Sequence, residues 1–177
     1  TSLLYPWGRL SRCRQRVGWV AMNLVEGLIE VTQEAVDDLF RYARSMPEEW
    51  LEFQPGGKAR TVMSMLRECA GLPAMIEAHL RERPSEPMLE AQVAALWAPA
   101  KACRTIDECE ALSRQNSERL YTAMREADLT DLHARVMMPW GKEFTLLQLL
   151  FDHYWNLTYH LGQVGLVQLM HGDDSYH

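Results

Sequence analysis

From Leu24 onward apolar residues return every three or four positions, so Leu24, Leu28, Val31, Ala35, Leu39 and Tyr42 fall on one helical face. That spacing predicts a first helix with these residues turned inward. Ser45 to Glu48 reads as a capping box opening a short turn, which ends before the loop "QPGGK". Thr61 suits the N-cap of a second helix whose buried stripe is Val62, Met65, Leu66, Cys69, Leu72 and Ile76. Two helices joined by so short a connection are expected to be antiparallel neighbours.

The segment "RERPSEP" and the Ala-rich run up to Pro99 read as a longer, partly helical crossover. It gives the chain room to change sides. A third helix follows from Ile106 to Ala127, with Leu112, Leu120 and Met124 inward and Glu108, Arg114, Glu118 and Arg119 outward. Pro139 and Gly141 interrupt "RVMMPWGKEFT", and Glu143 or Thr145 opens a last helix running through "LLQLLFDHYWNLTYHLGQVGLVQLM" to Gly172. No continuous strand signal is seen. The predicted class is all-α, a four-helix bundle with a long crossover between helices 2 and 3.

Length and composition are compatible with that picture: 177 residues, 47% of them hydrophobic, suffice for one core. A net charge of −6, with no basic stripe beyond the N-terminus, argues against binding a phosphate backbone, so no nucleic-acid partner is expected. The uncharged stretch from Tyr154 to Met170 contains Asn156, Thr158, His160, Gln163 and Gln168, too polar for a lipid-facing span. No membrane association is expected. Cys13, Cys69, Cys103 and Cys109 form no CxxC motif, which favours reduced thiols and a cytoplasmic location. Residues 1–21 differ in kind: Arg9, Arg12, Arg14 and Arg16 stand there without an acid. They read as a basic N-terminal extension outside the core, with residues 22–177 forming the domain.

Candidate chemistry concentrates in "HYWNLTYHLGQ" (153–163), where His153, Asn156 and His160 share one helical face. Two nitrogen ligands on one helix could take part in a divalent-metal site for zinc, nickel or iron if another element completed it. Glu68, at the border of the stripe on helix two, is the leading candidate; His79 lies three turns further along. The same groups could instead form a hydrogen-bonded network, with Asn156 bridging a protonated His160 and an ionised Glu68, or Glu68 could pair with Arg67, Arg60 or the Tyr and Trp donors of the last helix. Trp155, Tyr154, Tyr159, Met137 and Met138 could line a cleft for a small apolar ligand or a partner helix. His171 and His177 are expected to be solvated in the tail "HGDDSYH", and His133 has no evident partner.

The order of helices, the long crossover and the ending "YHLGQVGLVQLMHGD" resemble the DinB-like four-helix bundle proteins over nearly everything after Met22. The most specific part is "TYHLGQ", which is similar to that family's H-x-x-x-H-R-G-Q signature. The resemblance implies a divalent metal held by three histidines, one on helix two and two at i, i+4 on the last helix. It also implies thiol-dependent S-transferase or isomerase chemistry with a small-molecule thiol, and a homodimer. Residue by residue, His160, Gly162 and Gln163 match the signature, while Leu161 stands where it has arginine. Asn156 and Glu68 occupy the other two histidine positions. The implied triad is therefore Glu68, Asn156 and His160, with His153 as a further ligand candidate; it is a harder and weaker donor set than three imidazoles.

Overall fold

The computed structural model describes the backbone from residue 8 and the side chains from residue 24. The proposed 1–21 extension lies outside the residues whose side chains are described. Among the described residues the chain is mostly helical: α1 (Gly8–Ser45), α2 (Glu48–Leu51), α3 (Val62–Glu82), α4 (Glu90–Ala102), α5 (Ile106–Glu126) and α6 (Leu146–Met170). No helix among the described residues is long and apolar enough to cross a membrane.

Helix starts follow the local chemistry. Thr61 accepts the Ser64 amide at 3.2 Å, and the capping boxes Thr105/Glu108 and Thr145/Gln148 open α5 and α6. Ser45 does not cap α2: Pro47 holds that position without a side-chain bond, and the Ser45 hydroxyl donates instead to the Tyr42 carbonyl. Fixed φ at Pro47 starts this four-residue helix unaided. "RVMMPWGKEFT" forms a small hairpin, where a break between helices without strands was expected. Here β1 (Arg135–Met137) pairs antiparallel with β2 (Glu143–Thr145), and Val136 lies opposite Phe144. Gly141, at φ +78°, makes the turn.

Two core clusters give the helix directions. One joins Val25 and Leu28 of α1 to Ile76 and Leu80 of α3, Leu120 and Met124 of α5, and Leu146 and Leu149 of α6. The other joins Leu39 and Phe40, Val62 and Leu66, Cys109, and Val164 and Val167. The Val25–Ile29 part of α1 and the start of α6 thus share an end with the finish of α3 and of α5. Helices α1 and α6 run parallel, opposed to α3 and α5. Both α1 and α3 pack on α5 and α6, so α1 and α3 are antiparallel but stand diagonally across the bundle, not side by side. Because α3 and α5 run the same way, the chain must return along its length between them, and α4 lies on this return.

The buried face of α1 is centred on Val25, Leu28, Ile29, Val36, Leu39 and Phe40; Val31, assigned inward from its spacing, is 39% exposed. Helix α6 has two unlike faces. Leu149, His153, Asn156, Leu157, His160 and Val164 are buried, whereas Leu147, Phe151, Trp155, Tyr159, Leu166 and Leu169 form an exposed ridge. Asp152 is the one formal charge in this helix. The last residues pack back: His171 stacks on Trp50 at 4.3 Å and meets Phe53 edge-on, while His177 bonds Asp173 at 2.9 Å and packs on Tyr42. The expectation of a fully solvated tail is therefore corrected, since its rings find aromatic partners.

Candidate functional site

Helices α3 and α6 are neighbours, which brings position 68 opposite positions 156 and 160. Glu68 is the hub. Its Oε1 accepts Asn156 Nδ2 at 2.9 Å and lies 3.2 Å from His160 Nε2, and its Oε2 accepts the Arg60 guanidinium. Arg60 is itself fixed over the first turn of α3, where Nε donates to Ser64 Oγ at 3.2 Å and Nη2 to the Ser64 carbonyl at 2.9 Å. Cys69, fully buried, donates its thiol hydrogen to Asn156 Oδ1 at 3.3 Å. His160 Nδ1 faces Gln163 Oε1 at 2.7 Å.

The electrostatics follow from this wiring. The His160 hydrogen bond, aided by the Arg60 guanidinium and working against partial burial, holds Glu68 down at about 2. Burial, reinforced by the neighbouring Glu68 charge, pushes the Cys69 thiol well up, so it acts as a neutral donor. Both ring nitrogens of His160 face oxygen acceptors. An imidazolium satisfies that arrangement, as does a neutral ring with the Gln163 amide turned. Asp152 on α6 has the opposite environment: burial, with Glu68 nearby, pushes its carboxyl up to about 6.

Three of the four residues nominated from sequence therefore meet: Glu68, Asn156 and His160. His153 does not join them. Its Nε2 lies 2.8 Å from Ser117 Oγ on α5, and burial drives its pKa down to about 3, so the ring is neutral. Seven residues separate His153 from His160, about 10.5 Å along the axis, which takes it to another layer of the bundle. His79 is also buried and directs Nδ1 at the Met75 carbonyl, 2.8 Å away. The expected roles of Glu68 and Asn156 are exchanged: the carboxylate collects the donors, and the amide links Cys69 to it. Met138 is buried in the core, while Trp155 and Tyr159 stack at 5.2 Å on the outer face of α6. These residues do not line a common cleft, because Trp155 and Tyr159 point away from the bundle.

Spacing drew attention to α6 and Glu68, and of the partners the sequence offered for Glu68 the structure takes Arg60. Cys69 was passed over, because it reads as an ordinary core residue. The run "RTVMSMLRE" does carry a usable signal, since Arg60, Ser64 and Glu68 recur at i, i+4 and i+8.

The donor set suits a hydrogen-bonded carboxylate better than a divalent ion. Asn156 presents nitrogen, not oxygen, to Glu68, and a guanidinium already stands against the second carboxylate oxygen. A cation placed there would meet Arg60 at close range. Among the described residues no three His, Cys, Asp or Glu side chains are grouped as a metal site. Beside the network a cleft of about 410 Å³ opens between α3 and α4, with Arg60, Arg67, Glu68, Trp97 and Lys101 among its walls. A scan against known protein families and a search of curated proteins both return no match.

Proposed function

We propose that this chain is a DinB-like bundle serving as a non-catalytic small-ligand-binding module. In this reading a hydrogen-bonded carboxylate replaces the metal that the resemblance implies. The observation that carries it is the saturation of Glu68 by Arg60, Asn156 and His160 directly beside an open cleft. A satisfied charge network holds the wall of such a cleft in one arrangement without offering a vacant acceptor for a metal. The three described cysteines, Cys69, Cys103 and Cys109, are free, which supports a reduced, cytoplasmic setting.

Metal analysis of untagged protein tests this reading. The expected result is no stoichiometric zinc, nickel or iron, with His160→Ala leaving the metal content unchanged. One metal per chain, lost in His160→Ala, would instead favour a metal-dependent thiol transferase or isomerase. The convergence of His160 Nε2 and Glu68 Oε1 is the feature that gives this second reading its substance.

The same reading makes the protein a homodimer through the outer ridge of α6. The six named ridge side chains are 36–60% exposed and mostly apolar, a contiguous patch of the kind that protein–protein interfaces cover. With Asp152 as the helix's one charge, this face lets two copies of a chain of net charge −6 approach without bringing many acids together.

A further inference from the structure

We propose that the cleft between α3 and α4 binds a small organic anion, a carboxylate or phosphate monoester carrying a flat apolar body. This deepens the ligand-binding reading and rests on it. The cleft reverses the charge of the molecule: Arg60, Arg67 and Lys101 face one carboxylate, Glu68, in a chain of net charge −6. A cationic ligand would meet three like charges at its entrance.

Donor accounting shows where the anion fits. Arg60 is committed, with Nε and Nη2 on Ser64 and Nη1 on Glu68. Glu68 is committed in turn, so its charge is screened from the cleft. Arg67 differs. Its Nε donates to the Cys103 carbonyl at 2.9 Å and anchors the guanidinium, but the nearest carboxylate, Glu52, is 3.6 Å from Nη2 and mostly exposed. An anchored guanidinium with its fork still available matches the planar, bidentate geometry of carboxylate and phosphate oxygens. Lys101 supplies a second positive charge and has no ion pair among the described residues.

Trp97 provides the apolar wall. It closes so tightly on α3 that a β-carbon on Gly71 would stand 2.6 Å from its ring. A volume of about 410 Å³ is within the range of roughly 300–1,000 Å³ found for small-molecule sites. Indole surface beside an arginine fork and an ammonium selects an anion with a ring over an inorganic one.

Calorimetric titration of the full chain with phenyl phosphate, inorganic phosphate and benzylamine, at constant ionic strength, tests the proposal. The expected result is saturable binding of phenyl phosphate, tighter than inorganic phosphate, with no binding of benzylamine. Lys101→Gln and Arg67→Gln should each weaken it about tenfold, as loss of a charge-assisted bond does. Lys101 is exposed and outside every described ion pair, so Lys101→Gln keeps the test valid if Arg67→Gln fails to fold. Binding of benzylamine but not phenyl phosphate would overturn the anion assignment and leave the ligand-binding reading standing. Saturation by neither would remove both, and full affinity in Lys101→Gln would overturn the anion site at this cleft.

Discussion

Glu68 keeps its charge because Arg60, Asn156 and His160 all face it, and the same fact fixes how the protein responds to acid. Its folded pKa of about 2 lies below the ordinary 4.5, so its stabilising contribution is full above 4.5 and is lost as pH falls toward about 2. Melting temperature should therefore fall across that window. Glu68→Gln should flatten the fall and cost on the order of 1–3 kcal/mol near neutrality, because donors are left facing a neutral amide. Thermal melts of both proteins from about pH 7 downward measure this; an equally steep acid limb in the variant would remove Glu68 from the explanation. Asp152 has the opposite sign. Its folded pKa of about 6 lies above the ordinary 3.8, so protonation favours the fold below 3.8 and that benefit disappears as pH rises through 6. Asp152→Asn should raise stability at pH 7 by on the order of 1 kcal/mol and change little near pH 4. A melting temperature lowered at both pH values would show the carboxylate to be needed. Helical register relates Asn156 to His160 on α6, and it was the resemblance that set Glu68 of α3 beside them. Arg60 was among the partners that the sequence offered for Glu68, whereas the Cys69 contact with Asn156 and the Ser117 contact with His153 were not legible, since spacing alone cannot orient one helix against another.

At the scale of elements, periodicity indicates which face of a helix is buried but not which helix covers it. The α3 stripe from Val62 to Ile76 was readable for that reason, and the diagonal placement of α1 and α3 was not. On α1, Val31 was misread because its period fits a second, adjacent line of residues, and Ile29 and Thr32 take the inward positions instead. The hairpin 135–145 escaped notice because two strands of three residues are too short for an alternating pattern to register. The contact of α3 with α4 depends on one position. Gly71→Ala would place its β-carbon 2.6 and 2.7 Å from Trp97 ring atoms and 3.0 Å from the Ala100 β-carbon. Alanine is the better helix former by up to about 1 kcal/mol, so a modest gain would follow if Trp97 could yield freely. Trp97 is packed against the core cluster. The expected net effect is a loss of about 1–3 kcal/mol, as in other overpacked sites, with α4 displaced and phenyl phosphate binding weakened. An unchanged melt with unchanged binding would show that α4 adapts without cost.

At the scale of the molecule, the helical class and the helix order were legible because the helix starts expected at Thr61, Ile106 and Thr145 fall at threonine caps. The outer ridge of α6 was not, since Trp155 and Tyr159 have the same helical spacing as a core stripe and only the fold reveals which stripe is outside. Light scattering after size exclusion should give a dimer for the native chain and a monomer for Trp155→Glu, with little change in melting temperature beyond the loss of association. A native monomer at every concentration would remove the ridge from the interface. The stacking of His171 on Trp50 has a different consequence, one of motion. It ties the end of the chain to a four-residue helix that could not persist alone, although some 120 residues separate them. The two segments should open as one unit: in hydrogen exchange the amides of residues 50–53 and 171–173 should share one opening free energy, below that of the α3 core. His171→Ala should speed both sets together. Faster exchange confined to the tail would mean that α2 is held by its own contacts.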